Sequence, residues 1–96
     1  MKLVSVTKYR GKSPKRYSAL FEDSTGHTKK VAFGSRYGST YIDHHDDLKR
    51  RNWKARHRVR ENWDDPMTPG ALSRWLLWER RSLPEAVRDY KIRFDF

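Results

Sequence analysis

Cysteine is absent from this 96-residue chain. That excludes disulfides and thiolate-ligated zinc, and with them disulfide-stapled extracellular scaffolds and the common zinc-finger classes. Long apolar runs are missing too: nothing approaches the roughly 20 apolar residues of a bilayer-spanning helix. The start, MKLVSVTKYRGK, offers only Leu3, Val4 and Val6 after its first lysine. That is too little for a signal-peptide core, so a soluble, non-secreted protein in a reducing compartment is expected. Apolar residues as a class are scarce, at 35% where about 45–50% is usual. Acid is scarce relative to base: 12 Asp and Glu stand against 22 Lys and Arg, for a formal charge of +10.

What the chain does have is aromatic area, in four Trp, five Tyr and four Phe. Large rings bury so much surface that a few of them supply most of a small core. The length suits one domain spanning residues 1–96. Its charge is spread along the chain: eight basic groups against two acidic in 1–34, eight against six in 35–66, six against four in 67–96. A domain-wide basic skin fits that distribution better than a detachable tail, and its self-repulsion favours an anionic partner.

Periodicity separates a strand-rich first third from a helical remainder. Lys2 to Tyr9 alternates, with Leu3, Ser5, Thr7 and Tyr9 expected on one face and Val4, Val6 and Lys8 on the other. After a Gly/Pro turn at Gly11–Lys15, the segment Arg16 to Glu22 places Tyr17, Ala19 and Phe21 together. Asp23-Ser24-Thr25-Gly26 forms a hairpin turn, and Thr28 to Phe33 returns with Val31 and Phe33 on one side. Residues 1–34 therefore read as an antiparallel β-meander. In 43–96 three helices are expected. The first runs from about His45 to Arg60, capped by Asp43 or a neighbour and burying Leu48, Ala55 and Val59. Thr68-Pro69 opens the second, and Ser82 with Pro84 and Glu85 opens the third, whose stripe is Leu83, Val87, Tyr90 and Phe94. The expected class is α+β, a three-stranded antiparallel sheet followed by three helices.

The functional signal is the run KRRNWKARHRVR, Lys49 to Arg60, with seven Lys or Arg and no acid. At about 100° per residue, Trp53 falls about 140° from Leu48, among Lys49, Arg56, His57 and Arg60. Cations on such a helix release counterions from a phosphate backbone and a projecting ring stacks on a base. The bland alternative is a solvated basic face with Trp53 covered. The candidate contacts are thus Lys49, Arg50, Arg51, Lys54, Arg56 and Arg60, with Trp53 as stacker. A second basic cluster, Arg10, Lys12, Lys15 and Arg16, sits at a hairpin tip, where it reaches partners or merely solubilises a turn. The loop Phe33 to Thr40 lacks the ending of a P-loop. It is first of all a connector, though its hydroxyls and Arg36 can donate to a phosphate or carboxylate.

Other chemistry finds little support. His44 and His45 diverge by about 100° on a helix, and Asp43, Asp46 and Asp47 suit capping and the helix dipole better than a metal. Ser73 lacks the strand–turn–helix setting of a nucleophile elbow, and Asp64-Asp65-Pro66 reads as a turn. No enzyme, cofactor, metal or small-molecule substrate is expected. Trp75-Leu76-Leu77-Trp78 is the most apolar stretch and is assigned to the core. A patch left exposed near Leu77 or Ile92 would mark a protein partner.

Four stretches, YSALFED (Tyr17–Asp23), VAFGSRYGSTYIDH (Val31–His44), ARHRVRENWDDPMTPGALSRWLLW (Ala55–Trp78) and DYKIRF (Asp89–Phe94), resemble a small uncharacterised domain family encoded by giant nucleocytoplasmic DNA viruses. Its Arg-His-x-x-Arg-Glu-x-Trp pattern is met without a gap at Arg56–Trp63, and Thr-x-Gly-x-Leu-Ser-Arg-Trp at Thr68–Trp75. Its Phe-Gly-x-x-Gly loop is not: Tyr37 stands where the second glycine is expected, with Gly38 after it. The resemblance implies a viral origin, in the virion or in the host cytoplasm or nucleus, and transfers no functional residue. Two partners follow: nucleic acid, DNA first, bound with little sequence specificity, or acidic faces of capsid subunits in a minor capsid (cement) role. Arginine meets phosphate and carboxylate alike, so the sequence leaves both open.

Overall fold

In the computed structural model, which describes residues 1–96, strands β1 (Lys2–Lys8), β2 (Tyr17–Glu22) and β3 (Thr28–Phe33) form one antiparallel sheet in the order β1-β2-β3. The meander and its turns match the alternation in the sequence. At the β2–β3 turn the Asp23 carboxylate accepts from the backbone N–H groups of Thr25 and His27, with Gly26 at φ 90° completing the reversal. The phase of β1 differs from expectation. Leu3 pairs with Phe21 but Ser5 pairs with Leu20, leaving Val4 as an extra residue in a bulge. One added residue exchanges the two faces of a strand. Leu3 and Val6 therefore both reach the core, while Val4 is exposed.

Four helices follow: α1 (Tyr41–His44), α2 (Asp47–His57), α3 (Pro69–Leu77) and α4 (Leu83–Phe94). The expected first helix is divided in two. The Asp43 carboxylate takes hydrogen bonds from both the N–H and the hydroxyl of Thr40, nucleating α1, which stops at His45 in the left-handed region. Asp46 then caps α2 by accepting from the N–H groups of Leu48 and Lys49. Thr68 and Ser82 cap α3 and α4 through their side chains, each with a proline in the first turn, as their sequence signals predict.

The helical layer covers one face of the sheet. Leu3, Ala19, Phe21, Val31 and Phe33 meet Leu72, Leu76 and Leu77 of α3 and Ala86 and Tyr90 of α4. The expected stripe on α4 faces this core, and Phe96 closes it edge-on against Phe21 and Tyr90. The Trp75–Trp78 stretch is core as expected, and Leu77 is buried; Ile92 is left outside.

Helix α2 is rotated to the side opposite the one expected. Leu48 and Val59 are 57% and 75% exposed and Ala55 is exposed, whereas Trp53 is buried at 9%. Apolar area alone nearly ties: burying an indole is worth about 4–6 kcal/mol, and Leu plus Val about 3–6. The polar neighbours decide. Turning Trp53 inward brings Arg50 over the Tyr41 ring at 4.4 Å, Lys54 to Glu79, and His57 to Glu61.

Candidate binding cleft and basic face

Inward, Trp53 becomes the centre of an aromatic stack. His57 lies 4.2 Å from it, Trp78 5.0 Å and Trp63 6.1 Å between ring centroids, all within 18° of parallel. The His57 Nδ1 is held 2.9 Å from one Glu61 oxygen while the other accepts the Trp63 indole N–H at 2.9 Å. The Trp53, His57 and Trp78 rings floor a cleft of about 470 Å³ between the Gly34–Thr40 loop, α2 and the start of α3. Its polar lining comes from Lys15, Ser35, Tyr37, Ser39, Thr40, Arg56, His57 and Ser73, with Glu61 the one acid. Two glycines shape it. Gly34, at φ 76°, lies where a Cβ would fall 2.9 Å from Leu77 Cδ1, and a Cβ on Gly70 would fall 2.8 Å from Glu61 Cδ. His57, Glu61 and Ser73 were not among the expected site residues. The i, i+4 spacing of His57 and Glu61 was the available signal.

The expected contact residues divide into two sets. Arg16 is structural: it grips Asp43 through two hydrogen bonds of 2.7 Å and donates to Thr40. Hydrogen bonding from Arg16 holds the Asp43 carboxyl at about 2, below its ordinary 3.8. Arg36 folds back on the hairpin, donating to the Gly11 and Ser13 carbonyls, so it does not reach the cleft. Arg50 donates to the Glu79 carbonyl. Lys54 lies 3.5 Å from the Glu79 carboxylate, and burial followed by the Arg74 charge lowers its ammonium pKa. Burial pushes the Glu79 carboxyl up, but Arg74 and Lys54 outweigh it and leave it below its usual value. Trp53, the expected stacker on a base, is committed to the core.

The second set is free of acid partners. Lys49, Arg51, Arg56 and Arg60 project from α2 and the turn after it, and Arg58, not singled out from sequence, joins them. Lys15 reaches the cleft, and Arg10 lines a shallow basin with Lys8 and Lys30 on the open side of the sheet; Lys12 is exposed at the loop tip. No group of three or more His, Cys, Asp or Glu is placed to hold a metal ion. No helix is long and apolar enough to cross a membrane.

Most of the sheet, with the loop, α1 and α2, falls within one recognised sequence unit. The chain belongs to DUF5754, a family of unknown function whose profile matches residues 6–57. No curated protein and no solved structure matches the chain. The DUF5754 span runs from Val6 in β1 to His57 at the end of α2. It contains the expected contact residues except Arg60, while α3 and α4 supply much of the core beneath them.

Proposed function

We propose that this DUF5754 protein is a non-enzymatic, basic nucleic-acid-binding protein of a large DNA virus, contacting the phosphate backbone with little sequence specificity. The viral origin rests on the motif resemblance of residues 17–94. The observation that carries the binding reading is the sorting of the cations. The ion pairs of the fold engage Arg16, Arg50, Lys54, Arg74 and Arg80, and leave Lys49, Arg51, Arg56, Arg58 and Arg60 without an acid. Such a cluster is stabilised by a polyanion, whose condensed counterions are released on contact. The expected partner is DNA, met in the virion or in the host cytoplasm or nucleus.

One observation favours a second reading, a minor capsid protein seated on acidic faces of capsid subunits. Exposed Leu48 and Ala55 share the outer side of α2 with Arg51, and exposed Val59 follows Arg58 in the turn after it; apolar groups with arginine alongside suit a protein partner. Affinity for a generic DNA duplex as salt is raised separates the two. Phosphate binding gives a log–log slope of several units, about −0.9 per phosphate contacted. An absence of binding at ~50 mM salt, where phosphate contacts are strong, overturns the nucleic-acid reading and leaves the capsid one.

A further inference from the structure

Lys49, Asn52 and Arg56 are spaced i, i+3 and i+7, so they share one flank of α2. With Ser39, His44 and Trp78 they line a recess of about 270 Å³. Every polar side chain in this lining can donate a hydrogen bond, and none is a carboxylate. The side chains of Ser39, Lys49, Asn52 and Arg56 take part in no hydrogen bond or ion pair, although Asp46 and Asp47 are close in sequence. His44 adds an independent observation. Its Nδ1 accepts from the Asp46 N–H at 2.9 Å, which in the neutral ring places the proton on Nε2. That Nε2 is buried and has no acceptor within the protein. A lining that holds two free cations and a histidine with an unpaired donor is the complement of an oxyanion.

We propose that the recess binds a single phosphoryl group carried as a phosphate monoester, on a nucleoside monophosphate or on the phosphorylated end of a nucleic-acid strand. The surroundings favour a terminal phosphate over a mid-strand diester. The recess shares Ser39, Arg56 and Trp78 with the larger cleft, whose 470 Å³ and aromatic floor suit a nucleoside. A terminal phosphate continues in one direction, which here is the adjoining cleft, whereas a diester continues in two. The site shares Lys49 and Arg56 with the duplex-binding cluster but is distinguishable from it, because Arg51, Arg58 and Arg60 lie outside the recess and Asn52 and His44 outside the cluster. Either can fail without the other.

Calorimetric titration of the full chain tests this with a nucleoside monophosphate, the matching nucleoside, inorganic phosphate, and a short single strand with and without a 5′-phosphate. The expected result is one-to-one binding, with each phosphorylated ligand at least about tenfold tighter than its unphosphorylated counterpart. The ratio between the free monophosphate and the phosphorylated strand identifies the source. Arg56→Ala and Asn52→Ala should each weaken binding by about tenfold, while Arg88→Ala, an exposed position on α4 outside the recess and the α2 cluster, leaves it unchanged. His44→Ala also removes a ring packed 5.4 Å from Trp78, so the exposed Asn52 and Arg56 variants, checked for folding by circular dichroism, carry the test. Equal affinity with and without phosphate overturns the proposal. So does an Arg88→Ala loss equal to that of Arg56→Ala, or no binding of any phosphorylated ligand, whatever the duplex affinity.

Discussion

The indole of Trp53 lies 4.2 Å from the imidazole of His57, 18° from parallel, on a face of α2 turned away from solvent. Trp53 is therefore a packing element that sets the floor of the cleft, and the basic character of α2 is expressed on its other sides. Replacing it should be costly to the fold. Trp53→Ala is expected to lower unfolding free energy by about 3–5 kcal/mol in a denaturant titration, and Trp53→Phe by less. A Trp53→Ala protein of unchanged stability but lowered DNA affinity would restore the ring as an external stacker.

Arg16 and Asp43 join the end of the basic hairpin to α1 through a two-pronged pair that is partly exposed. Removing it with Asp43→Asn should cost about 1–2 kcal/mol at neutral pH, the partial exposure screening the pair. The Asp43 carboxyl titrates at about 2 when folded, against an ordinary 3.8. Its contribution is thus complete above about pH 4 and is lost as the pH falls through about 2. Acid titrations of wild type and Asp43→Asn should converge over that window. A stability difference that stays constant down to pH 2 would contradict the assignment.

Gly70 and Glu61 are coupled by contact. In most helices Gly→Ala gains up to about 1 kcal/mol. At Gly70 the new Cβ would fall 2.8 Å from Glu61 Cδ and 3.0 Å from Oε1, on a carboxylate already held by His57 and Trp63. Gly70→Ala should therefore destabilise, by about 1 kcal/mol. In a Glu61→Ala background the same change should stabilise. A double-mutant cycle showing no coupling would mean that Glu61 moves aside freely.

The two sets of cations should respond differently to truncation. Arg51→Ala and Arg58→Ala remove exposed side chains without acid partners, so thermal stability should hold within about 0.5 kcal/mol. If each meets a phosphate, each should flatten the salt dependence of duplex binding by about 0.9. Lys54→Ala, which separates a half-buried ammonium from Glu79, should do the reverse: lower stability and an unchanged slope. Equal slopes for wild type and both arginine variants would place the duplex elsewhere on the protein.

Features written in short stretches of chain are legible in the sequence alone. The meander followed from alternation, the turn at Asp23–Gly26 from its residues, and the starts of α3 and α4 from Thr68-Pro69 and Ser82-x-Pro84. Each rests on interactions spanning a few residues, such as the Ser82 hydroxyl meeting the Glu85 N–H. The core stripe of α4 was legible for the same reason. The basic character of α2 was legible as well, since charge is a property of composition.

The sequence by itself thus determined the α+β class, the antiparallel sheet and the excess of positive charge. Tertiary structure decided the direction in which that charge points. The rotation of α2 hangs on Arg50 and Lys54 finding Glu79, and on Trp53 finding Trp78, partners 25 to 29 positions away. The inward turn of Val6 hangs on one extra residue opposite β2. Neither leaves a mark in local periodicity, because a helix with apolar groups on one side and a tryptophan on the other has two nearly equal ways to pack. Only the partners supplied by α3 and the segment after it separate them, and with them the cations spent on the fold from those left without an acid partner.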